Sequence, residues 1–328
     1  MTHPTVVDSA SISPRVEPDP GAPLVSVLIR SIDRSHLQAA LDSIALQTYP
    51  NIEVVVIAAR PGHRPLDARC GAFDLRLVPT DTVLPRSRAA NRALDEARGQ
   101  WLLFLDDDDW VMPSHVARLA DVLGRQPHAL AAYTGVSLAD DVGVPLGQAM
   151  DLPFDAVRQL AGNLTPIHAV MFSRELLALG VRFDETLDRY EDWDFWVQVS
   201  RHTVLVHLPG VSAVYRIHQS SGVHEDAGSQ GLGSRRIYAK WQAHLDGSEI
   251  EGLMARGWAA FDLQLALARA DDRVRMLEQG LVEAQQSIQQ LSAALQAASE
   301  RNRALTDSTS WRITRPLRWL SGKLRSRA

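Results

Sequence analysis

Four consecutive carboxylates, Asp106-Asp107-Asp108-Asp109, follow directly on the apolar run Trp101-Leu102-Leu103-Phe104-Leu105. Carboxylates this crowded repel one another, so the site they line calls for a cation among them. A hard divalent ion suits oxygen ligands and is commonly held by one or two carboxylates plus substrate phosphates. Residues two apart on an extended segment point the same way, which lets Asp106 and Asp108 serve one site. Asp109, shortly before Pro113, reads as a helix cap, where an acidic side chain binds amides and complements the dipole. A second acidic pair, Glu191-Asp192, opens a segment carrying Trp193, Phe195 and Trp196 and suits the start of another helix.

These side chains need a scaffold. Five apolar residues without a polar break predict a strand buried on both faces, as in a parallel sheet. In open α/β sheets, ligands bind outside the carboxyl ends of the strands, where the Asp cluster falls. Leu24–Ile29 is a first strand, Arg30–Ser35 a turn, and Leu37, Ala40, Leu41 and Ile44 recur at helical spacing. Ile52–Ile57 and Phe73–Val78 read as further strands, Ser87–Arg98 as a helix closed by Gly99, and Pro113–Gly124 as another helix. This alternation predicts right-handed crossovers and a largely parallel sheet. Beyond it, Ala129–Tyr133 suits a strand, Asp140–Pro153 a hairpin or loop, and Glu191–Arg201 a helix. Val204–Leu208 and Ser212–Ile217 suit two short strands. Ser220–Gly233, rich in Gly, Ser and Gln, suits a flexible loop acting as a lid.

Five motifs occur in a telling order: Val25-Ser26-Val27-Leu28-Ile29, then Gln47-Thr48-Tyr49-Pro50-Asn51-Ile52-Glu53-Val54, then Ser87-Arg88-Ala89-Ala90-Asn91, then Asp106–Asp109, then Glu191-Asp192-Trp193. Over about residues 23 to 220 the chain resembles glycosyltransferase family 2, inverting enzymes of the GT-A fold. The resemblance implies a Rossmann-like α/β domain that moves a hexosyl-type sugar from a nucleotide-diphosphate donor to an acceptor hydroxyl. Asp106 and Asp108 match the DxD motif that holds Mn2+ or Mg2+, and Asp108 is the direct ligand on this reading. Asp192 matches the general base, and Glu191 positions the acceptor or steadies the loop. Asp33, Arg88, Asn91, Asp106 and Asp107 fall at donor or nucleotide positions, with Arg86 as a further cation for the diphosphate. His168 and Trp193 fall on the acceptor side. His218, in Tyr215-Arg216-Ile217-His218, is a further metal ligand. The sequence departs from the family after its second strand, where Ala58-Ala59-Arg60-Pro61-Gly62 has no carboxylate to hold the base or ribose.

The remaining features bound the setting. Residues 1–22 mix Pro, Ser, Asp and Val without period and are expected to be a disordered leader. The catalytic domain is placed at 23–245, a helical segment at 246–308 and a basic amphipathic tail at 309–328. Val274, Leu281, Ile288, Leu295 and Asn302 lie seven apart, as do Leu277, Ala284, Leu291, Ala298 and Leu305. That a/d pattern predicts a coiled coil and a parallel homodimer through residues 260–305. From Trp311 to Ala328 the chain carries six basic residues and no acidic one, against a net charge of -5 overall. This tail suits contact with an anionic membrane surface through 311–328. The acidic body offers nothing to nucleic acid. One cysteine, Cys70, excludes an internal disulfide and fits a reducing cytoplasm. No apolar run approaches the ~18 residues of a membrane span, and no signal peptide is evident. Ser310–Arg318 resembles a segment that follows coiled coils in bacterial surface-polysaccharide glycosyltransferases. It implies an acceptor that is a glycan or lipid-linked glycan, met at the inner face of a membrane. The alternative is a non-catalytic GT-A-like scaffold that assembles through its coiled coil.

Overall fold

The computed structural model describes residues 21–163, 165–187, 189–217 and 232–318. In chain order the first half comprises β1 (Val25–Ser31), α1 (Leu37–Ala45), β2 (Ile52–Ala58), β3 (Arg69–Cys70), β4 (Phe73–Val78), α2 (Arg86–Glu96), β5 (Trp101–Asp106), β6 (Trp110–Val111) and α3 (His115–Arg125). The second half adds β7 (Ala131–Ala139), β8 (Pro145–Met150), α4 (Ala156–Ala161), β9 (Val170–Ser173), α5 (Glu175–Ala178), α6 (Glu191–Ser200), β10 (Leu205–Arg216), α7 (Leu232–Trp241), α8 (Gly247–Asp307) and α9 (Thr309–Ile313).

The strands form one ten-stranded sheet in the order β3-β4-β2-β1-β5-β9-β7-β10-β6, with β8 pairing off β7. β4, β2, β1 and β5 run parallel, as the strand–helix alternation requires. β9 enters antiparallel between β5 and β7, so the sheet is mixed rather than parallel throughout. β1 is buried along all seven residues, and β5 along its first five. Helices therefore cover both faces there, and each fully buried Leu, Ile or Phe contributes about 1.5–3 kcal/mol.

Several local expectations change. β1 continues through Arg30 and Ser31, residues expected in a turn, because both pair in register with β2. The segment 140–153, expected as a hairpin or loop, supplies the turn and the second strand of a hairpin whose first strand is β7. The two short strands expected near 204–217 are one strand, β10, interrupted by register shifts around Val211. α2 ends at Glu96, so Gly99 is no helix stop. A Cβ there would lie 2.6 Å from the Ser26 amide nitrogen, so glycine is required by close backbone approach. Leu232 and Gly233 open α7, and the rest of the predicted lid lies outside the described residues.

The chain divides into two compact units, up to Leu253 and from Met254. The first unit has a small second core of Leu160, Leu187, Trp193, Val197 and Ile237, against which Leu253 packs. Glu249, in the first turn of α8, pairs with Arg201 at 2.5 Å in that same unit. In the second unit, α8 runs on with no buried residue, and its large apolar side chains, including Leu281, Ile288 and Leu295, are exposed. Among the described residues, no helix is long and apolar enough to cross a membrane.

Candidate active site

The site gathers at the carboxyl ends of β1 and β5. A tight turn follows β5, closed by the Asp109 amide donating to the Asp106 carbonyl at 3.2 Å. It gives each of the four carboxylates a different partner. Asp106 is gripped by Arg30 of β1, with Nε 2.9 Å from Oδ1 and Nη2 at 2.7 and 2.8 Å from Oδ1 and Oδ2. Burial works against the Asp106 carboxylate, but Arg30 first and Arg86 next outweigh it and hold its carboxyl below the usual range. Asp107 is fully buried and accepts from Ser31 Oγ, the Ile32 amide and Arg34. Asp108 keeps 13% of its side chain exposed and has Arg34 Nη1 at 3.5 Å. Asp109 is buried, accepts from the Arg216 amide at 2.8 Å, and lies 3.0 Å from His168 Nδ1.

Two expectations change here. Asp109 caps no helix, since β6 and residues 112–114 stand between it and α3. Asp107 offers nothing to a donor, because it is sealed beneath the β1–α1 turn that it ties down.

The acidic pair opens α6, where negative charge suits the positive end of the helix dipole. Glu191 is buried and accepts from Arg30 Nη1 at 2.8 Å. Asp192 is half-buried. Its Oδ2 accepts from Asn163 Nδ2 at 2.8 Å and its Oδ1 from the Trp193 amide at 2.9 Å, leaving lone pairs for a proton. Burial, then the Glu191 charge, pushes the Asp192 carboxyl up to about 6. A carboxylate that holds its proton this strongly is a competent base near neutral pH.

The other predicted site residues separate. Asp33 adopts a left-handed backbone (φ 62°) and turns its carboxylate to Arg64, with the Arg64 amide at 3.0 Å and Nη1 at 3.0 Å. Beside it, His63 Nε2 lies 2.9 Å from Ser31 Oγ, so the loop after β2 is pinned to the end of β1. Arg88 and Asn91 are not brought to the carboxylate turn. Arg88 pairs with Glu185 at 3.1 Å, and Asn91 exchanges hydrogen bonds with the Phe183 backbone, so both brace the approach to α6.

His168 and Trp193 are corrected as direct acceptor contacts, because both are buried. His168 lies 3.0 Å from Asp109 and stacks on the Tyr215 ring, 6.1 Å centroid to centroid with the ring planes nearly parallel. Burial disfavours its charge, but Asp109, Asp106 and Asp108 outweigh that and hold the imidazole above its ordinary value. Trp193 donates its indole N–H to the Gln159 carbonyl at 2.6 Å. His218 lies outside the described residues. Sequence reasoning missed Arg30, Arg34, Asn163 and the structural part of Arg216, whose guanidinium donates to the Asp108 carbonyl and covers the Trp110 ring at 4.6 Å.

Among the described residues, no group of three or more His, Cys, Asp or Glu is arranged to hold a metal ion. The chemistry fits a hard ion that draws most of its shell from donor phosphates and water. Asp107 and Asp109 are buried, both Asp106 oxygens face Arg30, and Asp108 keeps part of its side chain exposed beside Arg34.

The family model for glycosyl transferase family 2 matches residues 26–146. A PGL/p-HBAD biosynthesis glycosyltransferase of Mycobacterium tuberculosis is 29% identical over 191 residues, 56% of this chain and 73% of that one. The chain spans 38% and 64% of the length of two further relatives, uncharacterized glycosyltransferases of Haemophilus influenzae and Methanocaldococcus jannaschii. Among solved structures, S. aureus TarS 1-349 in complex with UDP-GlcNAc superposes with a TM-score of 0.55 at 19% identity, covering 70% of each chain. The mannosyltransferase PcManGT from Pyrobaculum calidifontis, in complex with GDP-Man and Mn2+, gives 0.51 at 20% identity, covering 91% of this chain and 85% of that one. Residues 26–146 thus resemble the domain of glycosyl transferase family 2, within a sheet of the GT-A type.

Proposed function

We propose that the chain transfers a sugar from a nucleotide-diphosphate donor to an acceptor hydroxyl, with inversion at the anomeric carbon. The observation that carries this reading is Asp192, a half-buried carboxylate of raised proton affinity linked through Glu191 and Arg30 to the carboxylate turn after β5. The family match over 26–146 and the donor complexes of the two structural relatives support it.

In the proposed reaction, Asp192 takes the proton of the acceptor hydroxyl as that oxygen bonds to the anomeric carbon. The bond from the carbon to the diphosphate oxygen breaks, and its electron pair leaves with the nucleoside diphosphate. Attack opposite the leaving group inverts the carbon in a single displacement. Asp108, with Asp106 behind it, would hold Mn2+ or Mg2+, which when bound supplies Lewis-acid stabilisation to the leaving diphosphate. Arg34 and Arg86 add positive charge at the carboxylate turn. Asp33 and Arg64, clasped together, form the nucleotide side of the site. Asn163 orients Asp192, and Trp193 fixes the first turn of α6 from below.

The acceptor on this reading is a glycan or lipid-linked glycan of envelope polysaccharide, met at the inner face of a membrane. The segment Ser310–Arg318 and the basic residues of 311–328 support it, although residues 319–328 lie outside the described part of the chain. The apolar a/d residues of α8 between 260 and 305 support a parallel homodimer. Val274, Leu281, Ile288 and Leu295 are each more than half exposed, and Asn302 continues the same seam, where it can meet its own copy.

A panel of UDP- and GDP-sugars, each assayed with Mn2+ or Mg2+ for thermal stabilisation and release of nucleoside diphosphate, tests the reading. At least one donor should stabilise the protein and be turned over. A panel that neither binds nor reacts rejects it.

A further inference from the structure

Arg30 is a charged side chain inside the central strand of the sheet. It is the sixth of seven buried residues in β1, and its side chain is 6% exposed. Removing a guanidinium from water costs several kcal/mol unless well-placed partners satisfy it. Its partners come from two different parts of the site. Asp106 is its register partner on the neighbouring strand, so the sheet itself sets that contact. Glu191 is the first residue of α6, 161 positions away in sequence, and is itself buried. The guanidinium also lies 5.9 Å from the Phe104 ring centre. Three of its donor contacts go to Asp106 and one to Glu191, which is the use a rigid planar fork permits and an ammonium does not.

We propose that Arg30 is the positioning residue of this site, a bridge that sets the first turn of α6 against the carboxylate turn of β5 and neutralises Glu191 beside the base. The proposal rests on the reading of Asp192 as general base. Among the described residues, the charged and titratable groups that act on Asp192 include Glu191 on its own helix, Arg30 on β1 and Tyr215 on β10, with the neutral Asn163 amide as a direct partner. Burial keeps the Tyr215 phenol protonated well above its usual range, so it supplies no counter-charge. Arg30 is the cation that offsets Glu191. Without it, the Glu191 carboxylate one residue from Asp192 loses the cation that offsets it, and Asp192 ionises less readily. The base would lose both its placement and part of its ionised fraction at neutral pH.

The test uses the full-length protein and the nucleotide sugar that wild type turns over, measured from pH 5 to 9 in wild type, Arg30→Met, Arg30→Lys and the Arg30→Met/Glu191→Gln pair. In Arg30→Met, kcat should fall at least about tenfold, and the acidic limb of the pH profile should move up by about one unit. In the paired variant the limb should return toward wild type, because the uncompensated charge is gone. Arg30→Lys should not restore kcat. If Arg30→Met does not fold, Arg30→Lys carries the test through kcat, which should stay at least about tenfold below wild type because an ammonium cannot make the forked contacts, and a wild-type kcat there overturns the proposal. A limb that stays in place in every variant, with only thermal stability changed, overturns the proposal. Asp192→Asn, run in parallel, separates the two readings: if it remains active, the base assignment fails, and if it is inactive while the limbs stay fixed, Arg30 alone is misassigned.

Discussion

His168 Nδ1 lies 3.0 Å from Asp109 Oδ2, and both side chains are sealed from solvent directly behind the carboxylate turn. Asp109 also accepts from the Arg216 amide, so this one carboxylate joins the turn to β10 and to the segment before β9. Removing it leaves a buried imidazole without its ion-pair partner and a buried amide without its acceptor. Asp109→Ala is therefore expected to cost about 3–5 kcal/mol, as for other broken buried pairs. Urea unfolding followed by tryptophan fluorescence measures it, and a loss below about 1 kcal/mol would show that the pair is not structural.

On the proposed reading, the pH dependence of transfer follows from Asp192. Burial and the Glu191 charge raise its carboxyl to about 6, and the base acts only when ionised. Activity should be level above that value and fall about tenfold per unit as pH drops below it. The same shift has the opposite sign for stability: a carboxyl raised on folding binds its proton more tightly in the native state, so this group favours folding at low pH and loses that contribution as pH rises through about 6. A profile of kcat/KM against pH checks the first statement, and an acidic limb near pH 4 would contradict it.

Asp108 and Asp106 should separate in calorimetry with UDP or GDP and Mn2+. Asp108→Ala is expected to abolish metal-dependent nucleotide affinity with little change in stability, since its side chain is partly exposed. Asp106→Ala leaves Arg30 short of its main partner and should lower stability by about 3 kcal/mol or more besides weakening binding. Unchanged affinity in the Asp108 variant removes it from the donor site.

How much of this was legible depended on range. Trp101–Leu105 and Ile52–Ile57 announce strands because an unbroken apolar run reports burial on both faces, a purely local signal. Arg30 breaks such a run, so the local pattern places the strand end at Ile29. Its partners at 106 and 191 are what make it a strand residue, and no local pattern shows them. Arg88 and Asn91 face the same limit, since Phe183 and Glu185 claim them from about ninety residues away. The nearby Pro113 predicts a helix cap at Asp109, but a tight turn and β6 intervene.

The seam on α8 gives a further prediction. Leu281 and Ile288 are each about 60% exposed and lie one heptad apart. If two copies pack through this seam, Leu281→Glu with Ile288→Lys should halve the mass seen by light scattering while leaving the donor site intact. A monomeric wild type, or a double variant with unchanged mass, contradicts the pairing.

The central claim is that Asp192 is the base of a sugar transfer from a nucleotide donor. Its direct test compares wild type and Asp192→Asn with the donor selected from the UDP- and GDP-sugar panel, reading affinity by calorimetry and turnover by release of nucleoside diphosphate. The variant should bind the donor as wild type does and react about two to four orders of magnitude more slowly. Near-normal turnover in a folded Asp192→Asn protein would contradict the account.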